Sequence, residues 1–413
     1  MTRYALMSGL LFLFAQTWAS LLAAEPASSV PLAPGVSNKL KLEGTHEVVK
    51  DLKLQSKDGT MRLQTLTVDG KGRILGLVAR PRSYGAPIKA TTSEIHVHSA
   101  DGTLEGIWTV AFHANSINTG SDDKVYVAGD GTVAVFSRDG KQEMVVQLPH
   151  IKELLANPDL LKKRAEQQIE NQKKSFAASQ KSITEQKKKL ETIKPEERTA
   201  IQKKQLAQYE LILKSYANSA KYYDSLTVES VVEQLTARMR TINGIAISEK
   251  DVFIACGEAK GFGFAIWRMT KGLKEAKQLL SGVSGCCGQM DIQVSGQDFL
   301  LAENTRHRFS RYSREGTLLG SWGKNGKESE PGCFGGCCNP MNLRALQTGD
   351  IYTAESEGII KHFSATGEFL DIVGQVSLTG GCKNVAVGAS PDGSKVYFCD
   401  QPGSRIIVMR IKK

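Results

Sequence analysis

One short pattern recurs along this chain, and it limits the fold more than any other feature. A turn rich in Gly, Asp and Ser precedes a β-rich run that ends in a small or acidic residue. Six copies begin at Arg73 (RILGLVA), Lys124 (KVYVAGD), Asp251 (DVFIACGE), Asp298 (DFLLAEN), Asp350 (DIYTAES) and Lys395 (KVYFCD). Their starts lie 51, 127, 47, 52 and 45 residues apart. The long interval holds a charged segment of helical periodicity, and removing its roughly 75 residues restores the period.

A second pattern follows four of these runs. A strand ends in Ser, and a glycine comes three residues later: Ser99–Gly102, Ser137–Gly140, Ser313–Gly316 and Ser364–Gly367. A tight hairpin needs positive φ at that place, which glycine supplies without a Cβ penalty. About four short strands per 45 to 50 residues is the signature of a propeller blade. The fold class expected is therefore all-β: a six-bladed β-propeller with an inserted α-helical hairpin between blades two and three. The run from Leu40 to Leu54 is placed to add a strand to the last blade and close the ring.

The loops after the inner runs carry a more specific resemblance. Blade four reads LAENTRHRFSRYSREGTLLGSWG, with Glu303, Arg306, His307 and Arg308 in its loop. Blade six reads FCDQPGSRIIVMRI, with Asp400 and Arg405 at the corresponding places, and blade five keeps Glu355 with a shorter loop. These blades resemble the NHL-repeat family, whose pattern is an inner strand, an acidic end, an Asn-His-Arg loop, an Ile-rich strand and a Gly turn. Blades one to three fit it loosely. The resemblance implies a propeller and leaves the function open, because such folds host binders, lyases, hydrolases and scaffolds. Arg306, His307, Arg308 and Arg405 are the ligand-facing candidates, suited to an anionic ligand. The plainer reading is that Arg308 and Arg405 brace blades, since a residue that recurs in several repeats points to structure.

The N-terminus reads as an export signal. Arg3 precedes an apolar run from Tyr4 to Ala15, then small residues ending at Ala23-Ala24. The expected organisation is a signal peptide over 1–24, a Pro/Ser/Ala-rich linker over 25–40, blades one and two over 41–149, the helical insertion over 150–226 and blades three to six over 227–413. The protein is expected to be secreted or periplasmic, with no membrane span after the signal is removed.

The net charge of +10 is concentrated rather than spread. Residues 151–223 hold sixteen Lys/Arg against nine Asp/Glu, a net of +7. That segment is helical. Asn157-Pro158-Asp159 is a helix start, and Leu161, Ala165, Ile169, Phe176, Ile183 and Leu190 keep helical spacing. Pro195 begins a second helix, in which Leu206, Tyr209, Leu213, Tyr216, Ala220 and Tyr223 follow heptad spacing. Gln172, Ser179 and Gln186 on the first helix's seam make a weak coiled coil. Thr227 to Arg238 is the place for a third, shorter helix. Export argues against nucleic acid, so the partners expected are an unknown protein or a polyanionic ligand, such as a cell-wall polymer or lipid headgroups. The arm over 157–223 is the candidate partner-binding element; packing on the propeller is the competing reading.

All eight cysteines fall in blades three to six. Cys286, Cys287, Cys333, Cys337, Cys338 and Cys382 precede inner strands, whereas Cys256 and Cys399 end second strands. In a four-stranded blade those places lie at one end, so all eight are expected around one channel mouth. Three readings stand. An even count in an exported chain favours disulfides, with Cys382–Cys399 and Cys256–Cys286 or Cys256–Cys287 as geometric guesses. A thiolate site for zinc or copper is the second, although adjacent cysteines lack the usual C-x₂-C spacing. A redox-active thiol pair is the third. His96 and His98 share a strand face, as ligands or as packed side chains. No catalytic motif stands out. The function expected is that of a non-catalytic binding or scaffold protein that needs no cofactor. The alternative is a metal-dependent enzyme, of lyase or hydrolase type, at a Cys-lined channel mouth.

Overall fold

The computed structural model describes residues 42–81, 91–258, 263–286, 288–378 and 385–413. The leader and linker, Cys287 and Cys382 lie outside the described residues. Among the described residues, six antiparallel four-stranded sheets form a β-propeller. The first strands of the sheets are Arg62–Val68, Ser116–Thr119, Ile242–Ile247, Ile292–Ser295, Asn342–Ala345 and Val385–Ala389. They neighbour one another in chain order, and the sixth neighbours the first. His46–Lys53 pairs antiparallel with Arg405–Ile411 and so becomes the outer strand of the last sheet. The first and last described strands thus share one blade.

Among the described residues the propeller's core is divided into six apolar clusters, each shared by two adjacent blades, and a seventh, of Ala165, Val231 and Leu235, lies within the insertion. Leu75 and Val97 of blade one meet Val125 and Phe136 of blade two. Phe253 of blade three meets Phe299 of blade four, with ring centroids 5.0 Å apart. Phe309 of blade four meets Phe363 of blade five. Inner strands buried on both faces read as continuous apolar runs, which is why the repeat is visible in sequence.

The Ser-x-x-Gly hairpins hold adjacent blades together. Gly102, Gly140, Gly316 and Gly367 have φ between 85° and 90°. A methyl at Gly140 or Gly367 would collide with the ring of Trp108 or Trp322 on the preceding blade's outer strand. The hairpin's second carbonyl also accepts a bond from a cation on the preceding blade. The pairs are Lys395 Nζ to Ala100 O (2.9 Å), Arg73 Nη2 to Arg138 O (2.7 Å), Arg268 Nη1 to Arg314 O (3.0 Å) and Arg311 Nη2 to Ala365 O (2.7 Å).

The insertion contains four helices: α1 (Pro149–Leu155), α2 (Pro158–Glu191), α3 (Ala200–Ser225) and α4 (Val228–Arg240). The Asn157 side chain caps α2 by accepting from Leu160 N, and Thr199 and Thr227 open α3 and α4 with capping boxes. The buried residues of α2, Leu161 and Ala165, sit in its first turns. Its remaining length, about 40 Å at 1.5 Å per residue, pairs with α3 through Phe176–Tyr216 and Gln186–Tyr209. Among the described residues, no helix is long and apolar enough to cross a membrane.

Candidate functional site

The first strands line the central channel, and one arginine crosses it. Arg344 of blade five donates from Nη1 to Thr67 Oγ1 of blade one and to Asn118 Oδ1 of blade two, both at 3.1 Å. Its Nη2 donates to Val68 O at 3.0 Å. Asn118 Nδ2 donates to Ile245 O of blade three (3.0 Å) and to Gln293 Oε1 of blade four (3.3 Å). Asp291 of blade four accepts from Leu343 N of blade five at 2.8 Å, and Asn342 Oδ1 accepts from Val387 N of blade six at 2.9 Å. All six blades are thereby joined at the axis. Burial pulls the Arg344 guanidinium down from its ordinary value, and the Asp291 charge opposes the shift. Burial pushes Asp291 up to about 7, against its bonds from Leu343 N and Gln293 and the charge of Arg344.

Beside this crosspiece lies a cavity of about 150 Å³. One water takes on the order of 10–15 Å³ by this measure, so the cavity has room for roughly ten waters or one hydroxylated six-membered ring. Five residues of its lining each carry a polar atom that is buried without a protein hydrogen-bond partner: Asn115 Oδ1, Ser116 Oγ, Asn243 Oδ1, Gln289 Oε1 and Arg344 Nε. Two amides have their orientation set by what they donate to. Asn243 Nδ2 donates to Gly288 O, and Gln289 Nε2 donates to Val385 O at 2.8 Å. Their oxygens remain as acceptors. Each such group costs about 1–3 kcal/mol if nothing satisfies it. The arrangement is suited to holding a small molecule rich in hydroxyl or N–H donors.

The loops that carry the adjacent cysteines position this wall. Gln289 N donates to Cys286 O at 3.2 Å, and Asn304 Nδ2 donates to both Cys286 O and Gln289 O at 3.3 Å. In the next loop, Asn339 donates to Gly335 O and accepts from Ser356 N, both at 2.8 Å. Thr241, the C-cap of α4, reaches the cavity wall, so the base of the arm adjoins the site.

The six described sulfurs lie away from the cavity, whose lining includes none of the six cysteines. Cys256 is buried between blades two and three, its Sγ 3.9 Å from His150 Nε2, so it is not bridged to Cys286. Burial pushes its thiol up to about 12. Cys399 is buried between blades six and one, and its thiol is also pushed up by burial. Cys338 packs between blades five and six, with Cys286 against the same cluster. Cys333 Sγ faces Glu330 at 3.6 Å, and exposed Cys337 has its Sγ 3.0 Å from that of Cys338. The strand ends that carry Cys256 and Cys399 turn both side chains into the inter-blade cores. Among the described residues, no three His, Cys, Asp or Glu gather as a metal-ligand set.

The loop cations are also occupied. Glu303 accepts from Arg308 (2.9 Å) and Tyr312 (2.8 Å) and forms an ion pair with Arg306 (3.2 Å). Burial pushes Glu303 up, but bonds from Tyr312, Ser310 and Arg308 outweigh it and hold the carboxyl low. His307 is the left-handed turn residue of this loop, with φ 52°. Arg405 pairs with Asp400 (2.9 Å) and Asp51 (2.5 Å) in its own blade and donates to Ser377 O (2.7 Å). Arg306, His307, Arg308 and Arg405 are absent from the cavity wall. His96 pairs with Glu94 at 2.8 Å and His98 with Gly102 O at 3.2 Å, each on its own partner. Sequence reasoning missed Asn115, Asn243, Gln289 and Arg344. The available signal was a polar residue inside or just before otherwise apolar inner strands.

No family model matches the chain, and no curated protein matches it by sequence. Similar solved structures include the Cps50 (Swd1) β-propeller domain of Myceliophteria thermophila. The two are 9% identical, with 89% of this chain and 100% of that one covered and a TM-score of 0.42. The Pan2 WD40 domain of Neurospora crassa is similar at 8% identity, 90% and 98% coverage and a TM-score of 0.42. The propeller of Dos1 is similar at 10% identity, 89% and 95% coverage and a TM-score of 0.40.

Proposed function

We propose that this is an exported, non-catalytic binding protein, a six-bladed NHL-type propeller that takes a small hydroxyl-rich molecule at its channel mouth. The observation that carries the reading is that five of the cavity's lining residues each hold a polar atom without a partner. Amide oxygens, a hydroxyl and one guanidinium N–H are hydrogen-bonding groups, suited to recognition. Export is supported by the Arg3 to Ala24 pattern. The alternative, a metal-dependent enzyme, would need sulfur or imidazole ligands at the mouth; among the described residues the wall presents amides and the Asp291 carboxylate.

The test is calorimetric titration with a panel of monosaccharides and myo-inositol, run on the wild type and on Asn243→Leu. Removing one buried hydrogen-bond partner costs about 1–3 kcal/mol. A panel member that binds should therefore lose about 5- to 150-fold in affinity. Absence of heat across the panel at millimolar concentration overturns the ligand class, and binding unchanged by Asn243→Leu overturns the site.

A further inference from the structure

The outer face of α3 carries a second interaction surface, independent of the channel. The side of α3 facing α2 is marked by Tyr209, which reaches Gln186, and by buried Tyr216, which packs on Phe176. The opposite side, at 100° per residue, bears Lys204, Ala207, Leu211, Lys214, Asn218, Lys221 and Tyr222. All seven are exposed. Leu211 is 72% exposed and Tyr222 38%, on a helix with no packing partner on that side strong enough to bury them. The stripe is about 27 Å long and straight.

Its charge is of one sign. The arm's ion pairs among the described residues join Lys174 to Glu170, Lys187 to Glu191 and Glu210, and Lys194 to Glu197. None of them involves Lys204, Lys214 or Lys221. These three lysines belong to the segment that holds +7 of the chain's +10.

We propose that α3 docks along an anionic lipid bilayer and holds the propeller at its surface. A soluble polyanion would satisfy the lysines but leave Leu211 and Tyr222 in water. A bilayer surface takes both: ammonium groups meet headgroup phosphates, while the lysine stems and the apolar side chains enter the boundary below. Tyr is favoured at that depth because its ring is apolar and its hydroxyl polar. The attachment is peripheral, since no described helix can span.

The experiment is co-sedimentation of the full chain with phosphatidylcholine vesicles, with and without about 30% phosphatidylglycerol, at low and high salt. Binding is expected only to the anionic vesicles and is expected to fall with salt. The triple variant K204E/K214E/K221E should weaken partitioning by about 100-fold or more, at roughly 1 kcal/mol per lysine lost near the surface. Leu211→Asp should weaken it with all three lysines in place. The far-UV spectrum and melting curve should match wild type, because the altered side chains are exposed. Equal binding to neutral vesicles overturns the proposal, as does anionic binding that the triple variant leaves unchanged. Retention on dextran sulfate without vesicle binding also overturns it, in favour of a soluble polyanion.

Discussion

Blades four to six and the seam between blades two and three anchor the acid at the end of a second strand in different ways. In blades four to six the partner comes from the same blade: Arg308 for Glu303, Lys361 for Glu355 and Arg405 for Asp400. At the seam it comes from the insertion, because Asp130 of blade two pairs with Arg240 at the end of α4, 2.6 Å away. Glu258 of blade three has hydroxyl and amide partners, Ser281 and Gln278. The apolar core there is shared in the same way, since Ile151, Leu154, Leu161 and Met239 of the insertion complete it. The insertion is therefore two things. Its base is part of the ring, and its distal hairpin is an appendage.

That division makes the largest prediction. Replacing residues 177–215 with a short Gly turn between Phe176 and Tyr216, whose rings already lie 5.2 Å apart, should leave the propeller folded. Removing the whole insertion should unfold it, because four buried apolar side chains leave the seam, at about 1.5–3 kcal/mol each. Thermal melts by circular dichroism distinguish the two. A ring that survives the full deletion would make the base decorative, and one lost with the distal deletion would make the whole arm structural.

The acid anchors should rank by burial. Glu303 is almost fully buried, so Glu303→Leu leaves Arg308 and Tyr312 without their shared acceptor and should cost about 3 kcal/mol. Arg240 and Asp130 are both partly exposed, so Arg240→Leu should cost about 1 kcal/mol after solvent screening. Urea unfolding of both variants checks the order. A reversal would place the weaker anchor in the self-contained blades.

Much of this was legible in sequence because it repeats. The inner runs, the four Ser-x-x-Gly hairpins and the helix start at Asn157-Pro158 each follow from local chemistry. The strand from His46 that pairs with the last blade was legible as a β-rich run, although its partner lies more than 350 residues away. The site was not legible, for a physical reason. Asn115, Asn243, Gln289 and Arg344 come from four blades, and their meaning lies in a channel that exists only once the ring closes. Nor does a place at a strand end reveal the face a side chain takes: Cys256 and Cys399 point into cores.

A further contrast is in pH, where the seam and the axis oppose each other. His150 of α1 lies stacked on Trp267 at 4.2 Å, and burial pushes its imidazole down to about 4 from 6.5. Between those values the unfolded chain binds a proton that the native protein refuses. Stability from His150 is therefore lost as pH falls, by about 1.4 kcal/mol per unit. Asp291 at the axis is pushed up to about 7 from 3.8. Over much of the same window the native protein holds a proton that the unfolded chain has released, so Asp291 adds stability as pH falls. The two nearly cancel in the wild type. Relative to it, His150→Phe should gain stability on going from pH 7 to 4.5, and Asp291→Asn should lose it. Urea unfolding at both pH values gives the two double differences. If both variants track the wild type, neither group is held as the packing requires, and the contrast between arm-filled seam and polar axis loses its electrostatic half.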